Sequence, residues 1–173
     1  MTALARILQL SQSAEHAEQA AELALALHDE ALHEALVGDI PLKRVASPRA
    51  FVRLRVAAEG LGPRAARARR LRRLDLALSG SFDLTFLTEL PRLDTLVVRG
   101  CGPVTGLGGL HLRELRLVDV EADVLPRSAS LVTLVRSTLQ DWSWPWDLED
   151  LELIGVQLPP TAKLPRVDRL RVL

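Results

Sequence analysis

The sequence predicts a single-domain α/β solenoid in which short parallel strands form a sheet behind an N-terminal α-helical cap. Three observations lead to this fold class. The first forty residues are rich in helix-forming residues, an apolar signature recurs seven times after residue 50, and segments carrying Gly and Pro separate successive copies. The 173 residues are 48% hydrophobic, which is enough to bury a sizeable core.

Helices are predicted for residues 1–44, the expected cap. A run of Ala, Leu and Glu over residues 14–27 favours a helix with one face apolar enough to bury. Asp29 is placed to cap a further helix, which Gly38 would end. We expect these helices to cover the apolar end of the first repeat, because terminal repeats of a solenoid need such a cap.

Residues 45–173 carry about seven repeats. Each copy has an apolar residue, two spacers, an apolar residue, one spacer and an apolar residue, and this alternation is typical of a strand with one buried face. One copy is imperfect because its third apolar position holds Arg136, and we expect a deletion or bulge that turns this side chain outward. The copies begin at Phe51, Leu71, Leu93, Leu112, Leu131, Leu148 and Val167, at intervals of 17 to 22 residues.

Four of these stretches resemble the leucine-rich-repeat family, whose pattern is L-x-x-L-x-L-x-x-N/C-x-L. They are LRRLDLALS at 71–79, LDTLVVRGC at 93–101, LRELRLVDV at 112–120 and LEDLELIGV at 148–156. Cys101 occupies the Asn/Cys position, which elsewhere holds Glu59, Ser79, Val120, Leu139 and Val156. The resemblance is therefore to irregular, bacterial-type repeats without a continuous asparagine ladder. It implies a leucine-rich-repeat solenoid, a short horseshoe with a parallel concave sheet that binds another protein.

Composition and motifs argue against several function classes. One Cys rules out an internal disulfide, and equal numbers of basic and acidic residues, 22 each, predict no general affinity for nucleic acid. No secretion signal or membrane span is visible, so a cytoplasmic location is expected. The histidines His16, His28 and His33 lack the i,i+4 spacing of metal ligands, and no catalytic motif occurs. We therefore predict a protein that is not an enzyme and needs no cofactor or metal.

Charge is divided into blocks along the chain. Residues 1–40 hold seven acidic residues and one arginine, whereas residues 41–73 hold eleven basic residues and one acidic residue. Two interpretations remain open: the blocks attract each other within one fold, or the arginines from Arg64 to Arg73 bind an anionic partner such as nucleic acid.

The concave sheet face is the predicted binding surface, because the residues between the buried positions of each strand form columns there. Opposite charges fall on neighbouring strands, as with Arg55 and Asp75, which would give a self-compensated sheet. The alternative is a protein-binding patch with an apolar middle and a charged rim. Its expected contact residues are Arg53, Arg55, Arg73, Val97, Arg99, Arg116, Val118, Val135, Glu152 and Ile154.

The tryptophans form an unusual cluster. Trp142, Trp144 and Trp146 alternate in the segment DWSWPWD, where Pro145 disfavours a helix and favours an extended chain. In such a segment all three indoles would point to one side. They would either fill the space under the convex wall of the solenoid or serve as an exposed aromatic anchor for a partner.

The last predicted strand carries Arg169 and Arg171, beside Asp150 and Glu152 of the strand before it. Charged side chains on an edge strand can protect it from unwanted pairing, or the edge can contact a partner or a second copy of the chain. We expect a non-catalytic protein–protein interaction module that binds a protein partner through the concave face. Two alternatives are a structural subunit that self-associates through the C-terminal strand, and anion or nucleic-acid binding by the arginine cluster at 64–73.

Overall fold

The computed structural model describes residues 44–46, 48–60, 65–100 and 102–173. Within these residues the chain forms a parallel-strand solenoid of about five turns. The large sheet contains β1 (Arg44–Val45), β2 (Arg73–Ala77), β4 (Thr95–Arg99), β6 (His111–Val118), β8 (Ser128–Val135), β10 (Asp150–Ile154) and β11 (Arg169–Val172), in that spatial order. The small sheet contains β3 (Phe82–Asp83), β5 (Pro103–Thr105), β7 (Glu121–Ala122) and β9 (Thr138–Leu139).

Helical elements in the described residues are short. They are α1 (Pro48–Ala58), α2 (Ala65–Ala68) and two 3₁₀ turns at Thr85–Glu89 and Leu107–Gly109. Each regular turn of the solenoid runs from a large-sheet strand through a small-sheet strand and then back to the next large-sheet strand. This path gives the parallel crossover that the spacing of the repeats requires.

Alternate apolar residues of the large sheet form the core. Leu115 and Leu117 of β6 are fully buried, and the strand register places them beside Leu96 and Val98 of β4. Burying one such leucine stabilises the fold by roughly 1.5–3 kcal/mol. The strands predicted around residues 74, 96, 115, 151 and 170 lie where the apolar signature placed them.

The first predicted strand is wrong, because residues 51–56 belong to α1. The signature places its first two apolar residues three apart, a spacing that also puts Phe51 and Leu54 on one face of a helix. Pro48 begins the helix, and Gly60 follows its end with a φ of 86°. Phe51 packs edge to face against two other phenylalanines, with ring centroids 4.8 Å from Phe82 and 5.3 Å from Phe86.

The consequence is that Arg53 and Arg55 lie on a helix rather than on the predicted concave sheet. The strand that pairs with β2 at this end is β1, whose Arg44 lies beside Asp75 and whose Val45 lies beside Leu76. Arg44 therefore belongs to the large sheet, although the sequence interpretation assigned it to the cap.

The imperfect copy is also wrong, because its register differs by two residues from the one expected. Ala129, Val132 and Leu134 pair with the equivalent leucines of β6, and all three are fully buried. Leu131 therefore points away from the core. Arg136 is not a defective strand position, since it follows the end of β8 with a φ of 45°.

Arg136 is exposed, as expected, and takes part in the turns that end the strands. Asp119 occupies the equivalent place after β6, and its carboxylate accepts two hydrogen bonds of 2.7 Å from the Arg136 guanidinium. This ion pair holds the pKa of Asp119 below its ordinary value, chiefly through the side-chain hydrogen bond from Arg136.

Several sequence predictions lie outside the described residues. These are the helical cap over residues 1–43 with its histidines His16, His28 and His33, and Cys101 at the Asn/Cys position of the repeat. Among the residues that the structure does describe, no helix is long and apolar enough to cross a lipid bilayer.

Candidate functional site

The candidate site is the outward side of the large sheet, which we call the sheet face. Side chains alternate along each strand, so the residues between the buried apolar positions point away from the core. The strand register aligns them in three columns. The first column holds Arg73, Thr95, Glu114, Leu131, Asp150 and Arg169, the second Asp75, Val97, Arg116, Thr133, Glu152 and Arg171, and the third Ala77, Arg99, Val118, Val135 and Ile154.

Ion pairs join neighbouring strands at the C-terminal end of the sheet face. Arg169 Nη1 lies 3.8 Å from Asp150 Oδ2, and Arg171 Nη1 lies 3.2 Å from Glu152 Oε1. These two contacts confirm the charge pairs predicted for the last strands. All four side chains are partly exposed, so each pair contributes at most about 1 kcal/mol to stability.

The predicted pair of Arg55 and Asp75 is wrong. Arg55 Nε donates to Glu59 Oε1 at 3.0 Å within the helical segment. Asp75 instead lies 3.4 Å from Nη1 of Arg99, one strand further along the sheet. The second carboxylate oxygen of Asp75, Oδ1, is buried and accepts no hydrogen bond from any described residue.

The apolar middle of the sheet face is smaller than predicted. Val97 and Val135 are only 1% and 8% exposed, so neither is available to a partner in this conformation. Arg99 follows Val97 by two residues on β4, and Asp75 lies beside Val97 on β2. The residues of the ion pair between Arg99 and Asp75 therefore flank Val97 on the sheet face.

Apolar surface remains accessible at three other positions of the sheet face. Val118, Ile154 and Leu131 are each half-buried. Sequence reasoning missed Leu131 because it assigned this residue to the core, and the register of β8 reverses that assignment. The signal that would have found it is the pair of Val132 and Leu134, which fits the fourth and sixth positions of the repeat.

Arg116 is an exposed cation in the second column. Its register neighbours are Val97 on β4 and Thr133 on β8, and both of these are buried. Glu114 lies two positions earlier on the same strand and face, but no described residue forms an ion pair with Arg116. This part of the sheet face therefore presents an exposed positive charge between two buried register neighbours, with the Glu114 carboxylate on the same strand.

A shallow depression of about 220 Å³ lies where β8, β10 and β11 meet on the sheet face. Leu131 and Thr133 line it from β8, and Asp150 and Glu152 line it from β10. Arg171 lines the side toward the C-terminal edge. The depression is therefore walled by both signs of charge around an apolar side chain, which is how a polar rim and an apolar contact are combined in protein interfaces.

The tryptophans divide between the two predicted roles. Trp142 and Trp144 are half-buried against the core, with ring centroids 5.8 Å apart in an edge-to-face contact. Trp144 Nε1 also donates to the carbonyl oxygen of Lys163 at 2.8 Å. Trp146 is 80% exposed, so it alone is presented to solvent as an anchor would be. Trp146 lies in a turn of the chain at residues 146–147.

The edge strand β11 is exposed along its whole length. Leu170 and Val172 pair with the buried Leu151 and Leu153 of β10, yet they are 47% and 57% exposed. In the described chain these two side chains occupy core positions without a neighbouring strand to cover them. Their exposure is consistent with the prediction of an edge that can contact a partner, which stays untested.

The arginine cluster is described only in part. Arg69, Arg70 and Arg73 are exposed, and Arg72 Nη1 lies 3.7 Å from Asp94 Oδ2. Arg64 and the side chain of Arg67 lie outside the described residues. In the described part of the chain, no three His, Cys, Asp or Glu side chains are grouped as metal ligands would be.

The sequence and the structure were compared with known proteins. No family model, no curated protein and no solved structure matches the chain.

Proposed function

We propose that this chain is a non-catalytic protein-binding module whose partner lies on the sheet face. The observation that supports this most strongly is the environment of Arg116, an exposed guanidinium that forms no ion pair with any described residue and lies beside buried Val97 and Thr133. Arginine is enriched among the residues that dominate binding energy in protein interfaces.

The chemistry of the sheet face indicates what the partner must offer. An acidic side chain would satisfy Arg116, and apolar side chains would cover Val118 and Ile154 in the neighbouring column. The ion pairs at the C-terminal end of the face are exposed and already compensated. They would therefore form a rim that contributes more to orientation than to affinity.

Charge reversal of Arg116 tests the proposal. The intact chain, an Arg116→Glu variant and an Arg92→Glu variant are immobilised, and proteins retained from the native cell extract are identified. Arg92 is the matched control, because it is exposed in the segment that leads into β4 and lies outside the sheet face. The affinity of each retained protein is then measured with purified components.

We expect at least one partner whose affinity falls about tenfold or more in Arg116→Glu and stays within about twofold in Arg92→Glu. Thermal unfolding of all three proteins checks that the variants fold. Equal affinity for the intact chain and Arg116→Glu would show that the sheet face is not the binding surface.

A second candidate function is self-association through β11. The observation that favours it is the exposure of Leu170 and Val172 at core positions of the edge strand. Pairing with a second copy would bury these side chains and satisfy the outward backbone groups of the strand.

A further inference from the structure

A groove of about 550 Å³ lies beside the exposed tryptophan, outside the sheet face. Val124, Leu125 and Pro126, which lead into β8, line it together with Trp144 and Trp146, which precede β10. The lining is mainly apolar, and the volume is in the range of sites that hold a small ligand or a few residues of a peptide. We call this the aromatic groove.

Among the described residues, Arg127 is the one formally charged side chain that lines the aromatic groove, with His111 and Ser143 as further polar residues. Arg127 is exposed, and no described residue forms an ion pair with it. The groove therefore presents a cation beside two indole rings, without a carboxylate of its own in the lining.

Three aspartates close in sequence to the groove accept hydrogen bonds from backbone or hydroxyl groups, and two of them accept from the groove-lining residues Val124 and Ser143. Asp123 accepts from the backbone N–H groups of Gly106 and Val124, and Asp141 accepts from the N–H and hydroxyl of Ser143. Asp147 likewise accepts from the Ser128 hydroxyl at 2.6 Å and the Ala129 N–H at 2.8 Å. None of the three carboxylates lines the groove, so among its described lining residues Arg127 is the charged group that can pair with an anionic group of a ligand.

We propose that the aromatic groove binds an extended segment of another protein in which an acidic residue adjoins a bulky apolar one. The carboxylate would pair with the Arg127 guanidinium, and the apolar side chain would cover Trp146, which is 80% exposed. The groove is open to solvent, and its exposed indole lies at the surface. These features suit a chain that runs across it better than a small molecule, which sites usually enclose on most sides.

This inference is independent of the proposed function. The groove is formed by the segments that lead into β8 and β10 and by the first residue of β6, whereas Arg116 lies within β6 on the sheet face. A variant of one surface therefore leaves the other intact, and the two proposals succeed or fail separately.

Intrinsic fluorescence is a local probe for this test. The chain has three Trp and no Tyr, so its emission reports on residues 142–146 alone. The probes are acetylated and amidated hexapeptides that carry Asp or Glu beside Leu or Phe, together with matched peptides carrying Asn or Gln. Phenylacetate, which does not emit in the indole band, serves as a small aromatic carboxylate.

We expect a saturable change in emission with acidic peptides at concentrations below about 1 mM, and binding at least about fivefold weaker for the neutral peptides. Arg127→Gln should remove that preference, and Trp146→Ala should weaken binding about tenfold or more. Trp142→Phe and Arg116→Glu are controls that should bind like the intact chain, because neither residue lines the groove.

Three outcomes would overturn the proposal. The first is no saturable change with any peptide, and the second is equal binding of acidic and neutral peptides. The third is phenylacetate binding as tightly as the best peptide, which would assign the groove to a small molecule. Thermal unfolding of Trp146→Ala and Arg127→Gln confirms that a loss of binding is not a loss of fold.

Discussion

Ser137 is a buried hydroxyl that joins two turns of the solenoid. Its Oγ donates to the carbonyl oxygen of Val135 at 2.9 Å and accepts from the N–H of Val120 at 3.2 Å. Both Ser137 and Val120 are buried, so removal of the hydroxyl would leave a backbone N–H without water or a partner.

We therefore expect Ser137→Ala to lower the free energy of unfolding by about 1–3 kcal/mol, measured by chemical denaturation. The matched control is Thr138→Ala at the next residue, which is exposed and should change stability by less than about 0.5 kcal/mol. Equal effects of the two substitutions would show that the Ser137 hydrogen bonds contribute nothing specific.

Ser137 also shows how far the sequence alone could assign single residues to repeat positions. Once Ala129 is taken as the start of its repeat, Ser137 falls at the ninth position, where the resembled family places Asn or Cys. The sequence interpretation placed Leu139 there, because Leu131 fits the first position as well as Ala129 does. Only strand pairing separates these two registers, since both keep Leu134 in the core.

At the scale of elements, aspartates close to the ends of small-sheet strands hold the turns of the chain. Asp83 Oδ1 accepts from the N–H of Thr85 at 2.9 Å and from its hydroxyl. Asp123 and Asp141 make similar local bonds after the next turns of the chain. These carboxylates accept hydrogen bonds from backbone N–H groups of the turns. A continuous ladder of asparagines that could bond the turns instead is absent from the sequence.

Acid should weaken the turn at Asp83. The hydrogen bond from the Thr85 hydroxyl is the main reason that the pKa of Asp83 lies below its ordinary value, while burial acts in the opposite direction. A carboxyl with a lowered folded-state pKa contributes stability above its unfolded pKa and loses that contribution as the pH falls through the folded value.

The stability difference between the intact chain and Asp83→Asn should therefore be constant above about pH 5 and shrink below about pH 4. Chemical denaturation across this range measures it. Glu89→Gln is the control, because Glu89 is exposed and accepts no side-chain hydrogen bond from any described residue. A difference that grows toward low pH would contradict the expected sign.

Elements differ in how far their own sequence determines them. The strands β2, β6 and β10 follow from local apolar alternation, because each buries one face. The strand β4 differs, since Leu96, Val97 and Val98 are buried in succession. The helix at Phe51 is not determined by local alternation, since its apolar residues fit a helix and a strand equally well. Pro48 and Gly60 are local signals that favour α1, and the packing of Phe51 against Phe82 stabilises the helix in the fold.

The molecule as a whole is a stack in which each turn covers its neighbour, so the ends differ from the middle. At the C-terminal end of the described chain, Leu170 and Val172 are exposed while the equivalent Leu151 and Leu153 are buried. A second copy pairing with β11 would cover them, although direct pairing of two β11 strands would bring their arginines together.

If β11 mediates self-association, the molar mass of the intact chain should rise with concentration up to roughly 50 µM, measured by sedimentation equilibrium. The double variant Leu170→Lys with Val172→Lys should remain monomeric, because charge would be buried in the contact. Leu164→Lys is the control, since Leu164 is 43% exposed but lies outside the strand. A strictly monomeric intact chain would exclude this candidate.

The sequence by itself determined the parallel solenoid, the positions of most large-sheet strands and the charge pairs of the last two strands. These features follow from the spacing of apolar residues within single segments, because that spacing determines which side of a strand is buried. It also singled out the tryptophan segment and the arginines of the sheet face.

Only the tertiary structure decided which candidate residues are accessible. Val97 and Val135 are buried, Leu131 is turned outward, and Trp146 is the exposed member of the tryptophan segment. The aromatic groove forms where Arg127 and Trp146, at equivalent positions of successive repeats, meet as two turns stack, and the Trp146 N–H donates to the Arg127 carbonyl oxygen at 3.2 Å. Accessibility depends on contacts between strands and turns, and local periodicity does not encode the register that sets those contacts.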